Sequence, residues 1–136
     1  MLYIDANVFL SAALYDDEEA RLTREFLTDI AGGKRAAYTS VLTWDEIVWV
    51  VKKMLDSARA KQEGKKFMEF PNLVLLPAEP LIIDNAQNLM EKYNLKPRDA
   101  IHAATAISRG IREIISDDPD FDSVKELKRI PIGKFL

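Results

Sequence analysis

Hydrophobic positions along the chain fall into short apolar runs separated by stretches with helical spacing. Leu2-Tyr3-Ile4 reads as a strand covered on both faces in a parallel sheet, Leu73-Val74-Leu75-Leu76 as a buried strand and Ile114-Ile115-Ser116 as a short strand. Ala36-Ala37-Tyr38-Thr39 is a further brief strand. Ile130-Pro131-Ile132 reads as a last edge strand, because proline within a sheet is largely confined to edges. The first helix runs from Ala6 to Tyr15. A second starts at Asp17 or Glu18, carries Leu22, Phe26 and Ile30 at four-residue spacing, and ends at Gly32-Gly33. From Ser40 onward, Trp44, Ile47, Val48, Val51 and Leu55 form one apolar stripe, and Trp49, Val50 and Met54 form another. A charged helix from Ala58 to Phe70 closes at Pro71. Pro80 opens a helix carrying Ile82, Ala86, Leu89 and Tyr93, and Pro97 opens one from Arg98 to Arg109 with Ile101, Ala104 and Ile107 facing inward.

Strand alternating with helix over 136 residues predicts a single domain, residues 1–136. The expected fold class is α/β, a three-layer α/β/α sandwich around a mostly parallel central sheet.

Composition narrows the chemistry. With no cysteine and one histidine, disulfides, thiolate zinc sites, cysteine nucleophiles and multi-histidine clusters are excluded. A metal site here would be made of oxygens, which points to Mg²⁺ or Mn²⁺. The net charge of −3 gives no global basic field, so nucleic acid would be held by local patches or metal ions. No run approaches a membrane-spanning helix and no basic-then-apolar leader precedes Leu2, which predicts a cytoplasmic protein with no membrane partner.

Four acids then stand at equivalent places. Asp5 follows the first strand, Glu46 lies in the opening turns of the helix after the second, Asp99 is in the first turn after Pro97, and Asp117 or Asp118 follows Ile114-Ile115. Ligands of open α/β sheets bind beyond the carboxyl ends of the strands. Each acid also has a structural explanation: an N-cap for Asp5, a Thr43–Glu46 capping box, a helix dipole for Asp99, and turn chemistry for Asp117, Asp118 and Asp120. Gathered at one edge, they would repel by roughly 1 to 4 kcal/mol per close pair at intermediate dielectric. A divalent cation removes that penalty.

Ile4-Asp5-Ala6-Asn7, Glu46, Arg98-Asp99-Ala100-Ile101-His102-Ala103-Ala104 and Ile115-Ser116-Asp117-Asp118-Pro119-Asp120-Phe121 occur in this order across essentially the whole chain. In these motifs the chain resembles the PIN-domain ribonucleases of the small VapC-like type, the toxins of bacterial and archaeal toxin–antitoxin pairs. The resemblance implies hydrolysis of RNA with Mg²⁺ or Mn²⁺, and a cognate antitoxin protein as partner. It carries over Asp5, Glu46, Asp99 and Asp118 as the acidic quartet, the spacing after Ser116 selecting Asp118 over Asp117. Asp5 and Asp99 are assigned as direct metal ligands; Glu46 and Asp118 would hold water, act as general base or take a second ion. Asn7 and Ser116 match positions that orient Asp5, and Asp117 and Asp120 are auxiliary. His102, three residues beyond Asp99, could reach the same helical face, though the family pattern makes it a packing position. Arg98, Lys34, Arg35, Lys52 and Lys53 are candidates for holding RNA phosphates, against the plainer reading of solvated surface charge.

The resemblance, with the second apolar face around Trp49, Val50 and Met54, leads us to expect a homodimer or a contact with an antitoxin's hydrophobic tail. Two other function classes compete. An aspartate-based phosphotransfer module (receiver or phosphatase-like) also places Asp after the first strand, but Pro77-Ala78-Glu79 offers no phosphorylatable Asp and Asn7 replaces a second acid. A non-catalytic interaction protein of the same fold would have no need of an intact quartet.

Overall fold

A computed structural model describes residues 1–135. In chain order the elements are β1 (Leu2–Ile4), α1 (Ala6–Leu14), α2 (Glu18–Ala31), β2 (Ala37–Ser40), α3 (Thr43–Met54), α4 (Ser57–Met68), β3 (Leu73–Leu76), α5 (Pro80–Lys92), α6 (Pro97–Ser108), β4 (Glu113–Ile115) and β5 (Lys128–Ile130). Short 3-10 turns follow β4 and β5. The five strands form one sheet in the order β3-β2-β1-β4-β5, and every pairing is parallel.

Both faces of the sheet are covered at its centre, as the apolar run of β1 requires, but β3 is an edge strand and its Val74 stays exposed, against the expectation of a buried strand. Leu2, Ile4, Ala37 and Ile115 pack against Val8, Phe9, Phe26, Ile47 and Phe67 from α1 to α4. Tyr3, Leu76 and Ile114 point the other way, into Ile82, Leu89, Ala100, Ala103 and Phe121. α1 to α4 therefore lie on one face and α5 and α6 on the other. The chain reverses its direction of winding between β1 and β4, where strand order places a ligand crevice.

Two elements differ from the sequence expectation. The last strand ends at Ile130 rather than spanning Pro131, and Ile132 belongs to a 3-10 turn. Pro131 has no N–H to continue the ladder, so it stands just outside the edge. Second, α3 begins at Thr43, and Ser40 closes β2. Ser40 Oγ accepts the Leu42 N–H at 3.1 Å, which turns the chain between them.

α3 is held at close range by α4. A Cβ built at Gly64 would lie 2.8 Å from Val48 Cγ2 and 2.9 Å from Trp44 Nε1. Gly64→Ala adds helix propensity of about 1 kcal/mol but overpacks a helix contact, at a cost of about 1 to 3 kcal/mol. We expect a net loss of about 1 kcal/mol, read as a lower melting temperature; an unchanged or raised value would mean that α3 can shift freely. Among the described residues no helix is long and apolar enough to cross a membrane.

Candidate active site

Asp5 leaves β1 in an extended conformation and caps α1, its Oδ1 accepting the Ala6 N–H at 2.7 Å. It is also bound from β4, the neighbouring strand: Ser116 Oγ donates to Asp5 Oδ2 at 2.6 Å. The same hydroxyl oxygen accepts Asn7 Nδ2 at 3.3 Å and the Asp118 N–H at 3.0 Å. Ser116 thus ties both strand ends together, and Asn7 reaches Asp5 through it. Asp118 begins the next turn, its Oδ1 accepting the Asp120 N–H at 2.9 Å.

Glu46 and Asp99 arrive from opposite faces of the sheet, on the first turns of α3 and α6. The capping-box explanation of Glu46 does not hold. Thr43 is buried, its hydroxyl 2.7 Å from that of Thr39, and no side chain caps α3. Glu46 Oε1 instead meets His102 Nε2 at 2.9 Å. His102 Nε2 is also 3.7 Å from Asp5 Oδ1. Asp5, Glu46 and His102 offer ligand atoms within 4.8 Å of one another, and so do Asp99, Asp118 and Asp120.

The four acids therefore gather beyond the ends of β1 and β4 in two adjoining groups, Asp5 with Glu46 and Asp99 with Asp118, near enough for Asp5 to raise Asp99. Asp117 turns aside: its Oδ1 accepts the Ile132 N–H at 3.3 Å, and its carboxyl raises the pKa of the neighbouring Glu19 on α2. Arg98 stands beside Asp99 in α6 and pairs with Asp45 at 3.6 Å. Lys34 and Arg35 precede β2, which puts them at the opposite edge of the sheet, where Lys34 pairs with Asp29 at 3.2 Å. Lys52 and Lys53 occupy the last turn of α3, away from the end that carries Glu46.

Electrostatics agree with crowding. Burial first, then Asp118 and Asp5, push the Asp99 carboxyl up to about 7. Burial also raises Asp5, against the pull of His102 and Ser116. Burial alone would lower His102, but Glu46, then Asp5 and Asp99, outweigh it and hold the imidazole above its ordinary value. Asp99 Oδ2 is buried with no hydrogen-bond partner. An unpaired buried carboxylate oxygen is costly, and a cation is the partner an acidic site can recruit. Hard oxygen donors from Asp5, Glu46, Asp99 and Asp118 fit a hard divalent ion.

The sign of the pH dependence follows. A carboxyl whose pKa is about 7 when folded and near 3.8 when unfolded binds its proton more tightly in the native state. Its stabilisation is complete below the unfolded value and lost as pH rises through the folded one. In chelator, the wild-type melting temperature should fall between about pH 4 and pH 7, and Asp99→Asn should flatten that fall. Identical slopes in the two proteins would remove Asp99 as the source.

The sequence places His102 near Asp99 but gives no sign of its partners: the Tyr3 hydroxyl, from an apolar strand run, meets its ring at 2.6 Å, 99 residues apart, and Glu46 meets it on the other side. Only knowledge of the strand-to-helix pairing could have joined them.

No curated protein matches the sequence. Solved structures of similar fold include a toxin–antitoxin complex from Klebsiella pneumoniae, with a TM-score of 0.70 and 20% identity over 97% of this chain and 98% of the other. VapBC2 from Rickettsia felis, bound to a DNA fragment from its promoter, gives 0.74 and 14% over 96% and 98%. VapC20 from Mycobacterium tuberculosis, a toxin that cleaves the sarcin–ricin loop, gives 0.76 and 12% over 92% and 95%. At these identities the likeness concerns the fold. The PIN domain family model matches residues 2–127, from β1 through every acid of the crevice to the threshold of β5, and by that match the chain belongs to the PIN domain family.

Proposed function

We propose that this protein is a metal-dependent ribonuclease, the toxin of a toxin–antitoxin pair, acting in the cytoplasm. The observation that carries the reading is the gathering of Asp5, Glu46, Asp99 and Asp118, from four separate elements, into two adjoining acidic groups, with Asp99 Oδ2 buried and unpaired. Similar folds in a toxin–antitoxin complex and in a toxin that cleaves the sarcin–ricin loop support it. A cognate antitoxin is the partner this reading requires.

Asp5 and Asp99 would hold Mg²⁺ or Mn²⁺. Such an ion supplies an acidified water and offsets charge building on the phosphate. The chain's own residues do the rest. Ser116 and the Ala6 N–H fix both oxygens of Asp5, so its carboxylate presents one orientation to the crevice. Asp118, fastened through its own N–H to Ser116, keeps its carboxylate beside Asp99. Glu46 and Asp118 are the groups placed to accept a proton from an attacking water. Arg98, in the first turn of α6, is the cation best situated to hold an RNA phosphate.

Labelled RNA incubated with Mg²⁺ or Mn²⁺ should be cut, and excess chelator should stop the cutting. RNA that stays intact with millimolar ion would overturn the reading. We further propose a homodimer through the exposed Trp49 and Met54 of α3. Sedimentation should show a dimer that Trp49→Glu converts to monomer; a strictly monomeric wild type at high micromolar concentration would refute it.

A further inference from the structure

Three polar side chains cross the interior beneath the acidic crevice. Tyr3 on β1 and His102 on α6 are 0% and 1% exposed, set among Ala100, Ala103, Ile114 and other apolar side chains. Buried polar groups of this kind persist only when paired, and these are paired in series. The Ser40 N–H donates to Tyr3 Oη at 3.1 Å, Tyr3 Oη lies 2.6 Å from His102 Nδ1, and His102 Nε2 lies 2.9 Å from Glu46 Oε1. Because Ser40 already donates to the Tyr3 oxygen, the phenol proton is free to go to Nδ1. A neutral ring then carries its proton on Nε2, facing Glu46, and a protonated ring presents the same N–H there.

We propose that Tyr3 and His102 are positioning residues for Glu46, a buried strut that sets the direction of the Glu46 carboxylate over the crevice. The inference rests on the proposed hydrolytic site. Glu46 needs such a strut. It projects from the start of a helix on the opposite face of the sheet from α6, on a side chain with several rotatable bonds. Among the described residues its hydrogen bond to His102 is the one fixing it. With Oε1 engaged, Oε2 is left for a cation or a water. Tyr3 matters because it holds the ring: without a donor at Nδ1, the proton can move to that nitrogen and turn an Nε2 lone pair toward a carboxylate. Partners that orient ligating groups typically change metal affinity or activity 10- to 100-fold when removed.

The test uses the full chain with His102→Leu, His102→Gln and Tyr3→Phe. Leucine removes the donor and keeps apolar volume, and glutamine puts an amide N–H where Nε2 was. Expected for His102→Leu is a 10- to 100-fold loss in kcat for RNA and in Mn²⁺ affinity by calorimetry, with KM for RNA unchanged and most of the loss recovered by His102→Gln. Tyr3→Phe, which deletes a single hydroxyl, keeps the test open should a His102 variant fail to fold. It should lower kcat in the same direction and shift the imidazole ¹⁵N resonances. Wild-type kcat and Mn²⁺ affinity in folded His102→Leu or Tyr3→Phe would overturn the strut. So would a loss in His102→Leu that glutamine does not recover. A wild type that binds Mn²⁺ but cuts no RNA overturns the ribonuclease reading alone, and the calorimetric comparison still decides the strut. A wild type that binds no Mn²⁺ overturns both.

Discussion

Asp5→Asn is expected to abolish RNA cleavage while leaving a folded protein. Removing partners that merely orient metal ligands costs 10- to 100-fold, so loss of a direct ligand should exceed about a hundredfold. The structure makes the stability side more exacting than a cap comparison would. At an N-cap, asparagine and aspartate rank together. Asp5, however, accepts hydrogen bonds on both oxygens, from Ala6 and from Ser116. Asparagine has one acceptor oxygen, so Ser116 must turn its hydroxyl, already an acceptor for Asn7 and for the Asp118 N–H. A lost hydrogen bond of about 1 kcal/mol is set against relieved repulsion with Glu46 and Asp99. In chelator the two melting temperatures should therefore fall within a few degrees. Wild-type cleavage by Asp5→Asn with Mg²⁺ would remove Asp5 from the site.

Divalent ion should raise the melting temperature by roughly 10 °C when present at a hundredfold excess over its dissociation constant. Binding to the native state alone contributes about 2.7 kcal/mol under that condition, and a domain of this size shifts by about 3 to 4 °C per kcal/mol. The gain draws on Asp99 Oδ2 and on the mutual repulsion of the cluster, both present only in the folded chain. Asp99→Asn should lose most of the shift. Thermal melts of both proteins with Mn²⁺, Mg²⁺ and chelator measure this, and equal shifts in the two would exclude Asp99 as a ligand.

Much of this architecture was legible because each layer of a parallel sheet writes its own pattern. Leu2 to Ile4 are apolar on successive residues since both faces are covered, whereas Leu73 to Leu76, equally apolar, form an edge strand on which Val74 stands exposed; the acids follow strand ends or open helices where loops gather. Local rules failed where long-range partners took over. Thr43 and Glu46 have capping-box spacing, yet Thr39 claims the threonine and His102 the glutamate. Trp44 and Leu55 continue the α3 stripe but stand exposed at its ends, beyond the sheet that covers Ile47 and Val51. Lys34 and Arg35 look available for phosphate in sequence, while strand direction sends them to the far edge. The Tyr3–His102 contact joins β1 to α6 and leaves no trace in any local window.

The placement of β1 between β2 and β4 has a consequence for the newly made polypeptide. Ser116, which fixes the second oxygen of Asp5, comes 111 residues after it. At about 5 to 20 residues per second, a ribosome needs roughly 6 to 22 s to cover that interval. Until then the nascent chain carries three of its four acids, Asp5, Glu46 and Asp99, without the Ser116 hydroxyl that fixes Asp5. On the proposed reading, such a nuclease stays inert beside the RNA of the machine that makes it until Ser116 is delivered to Asp5.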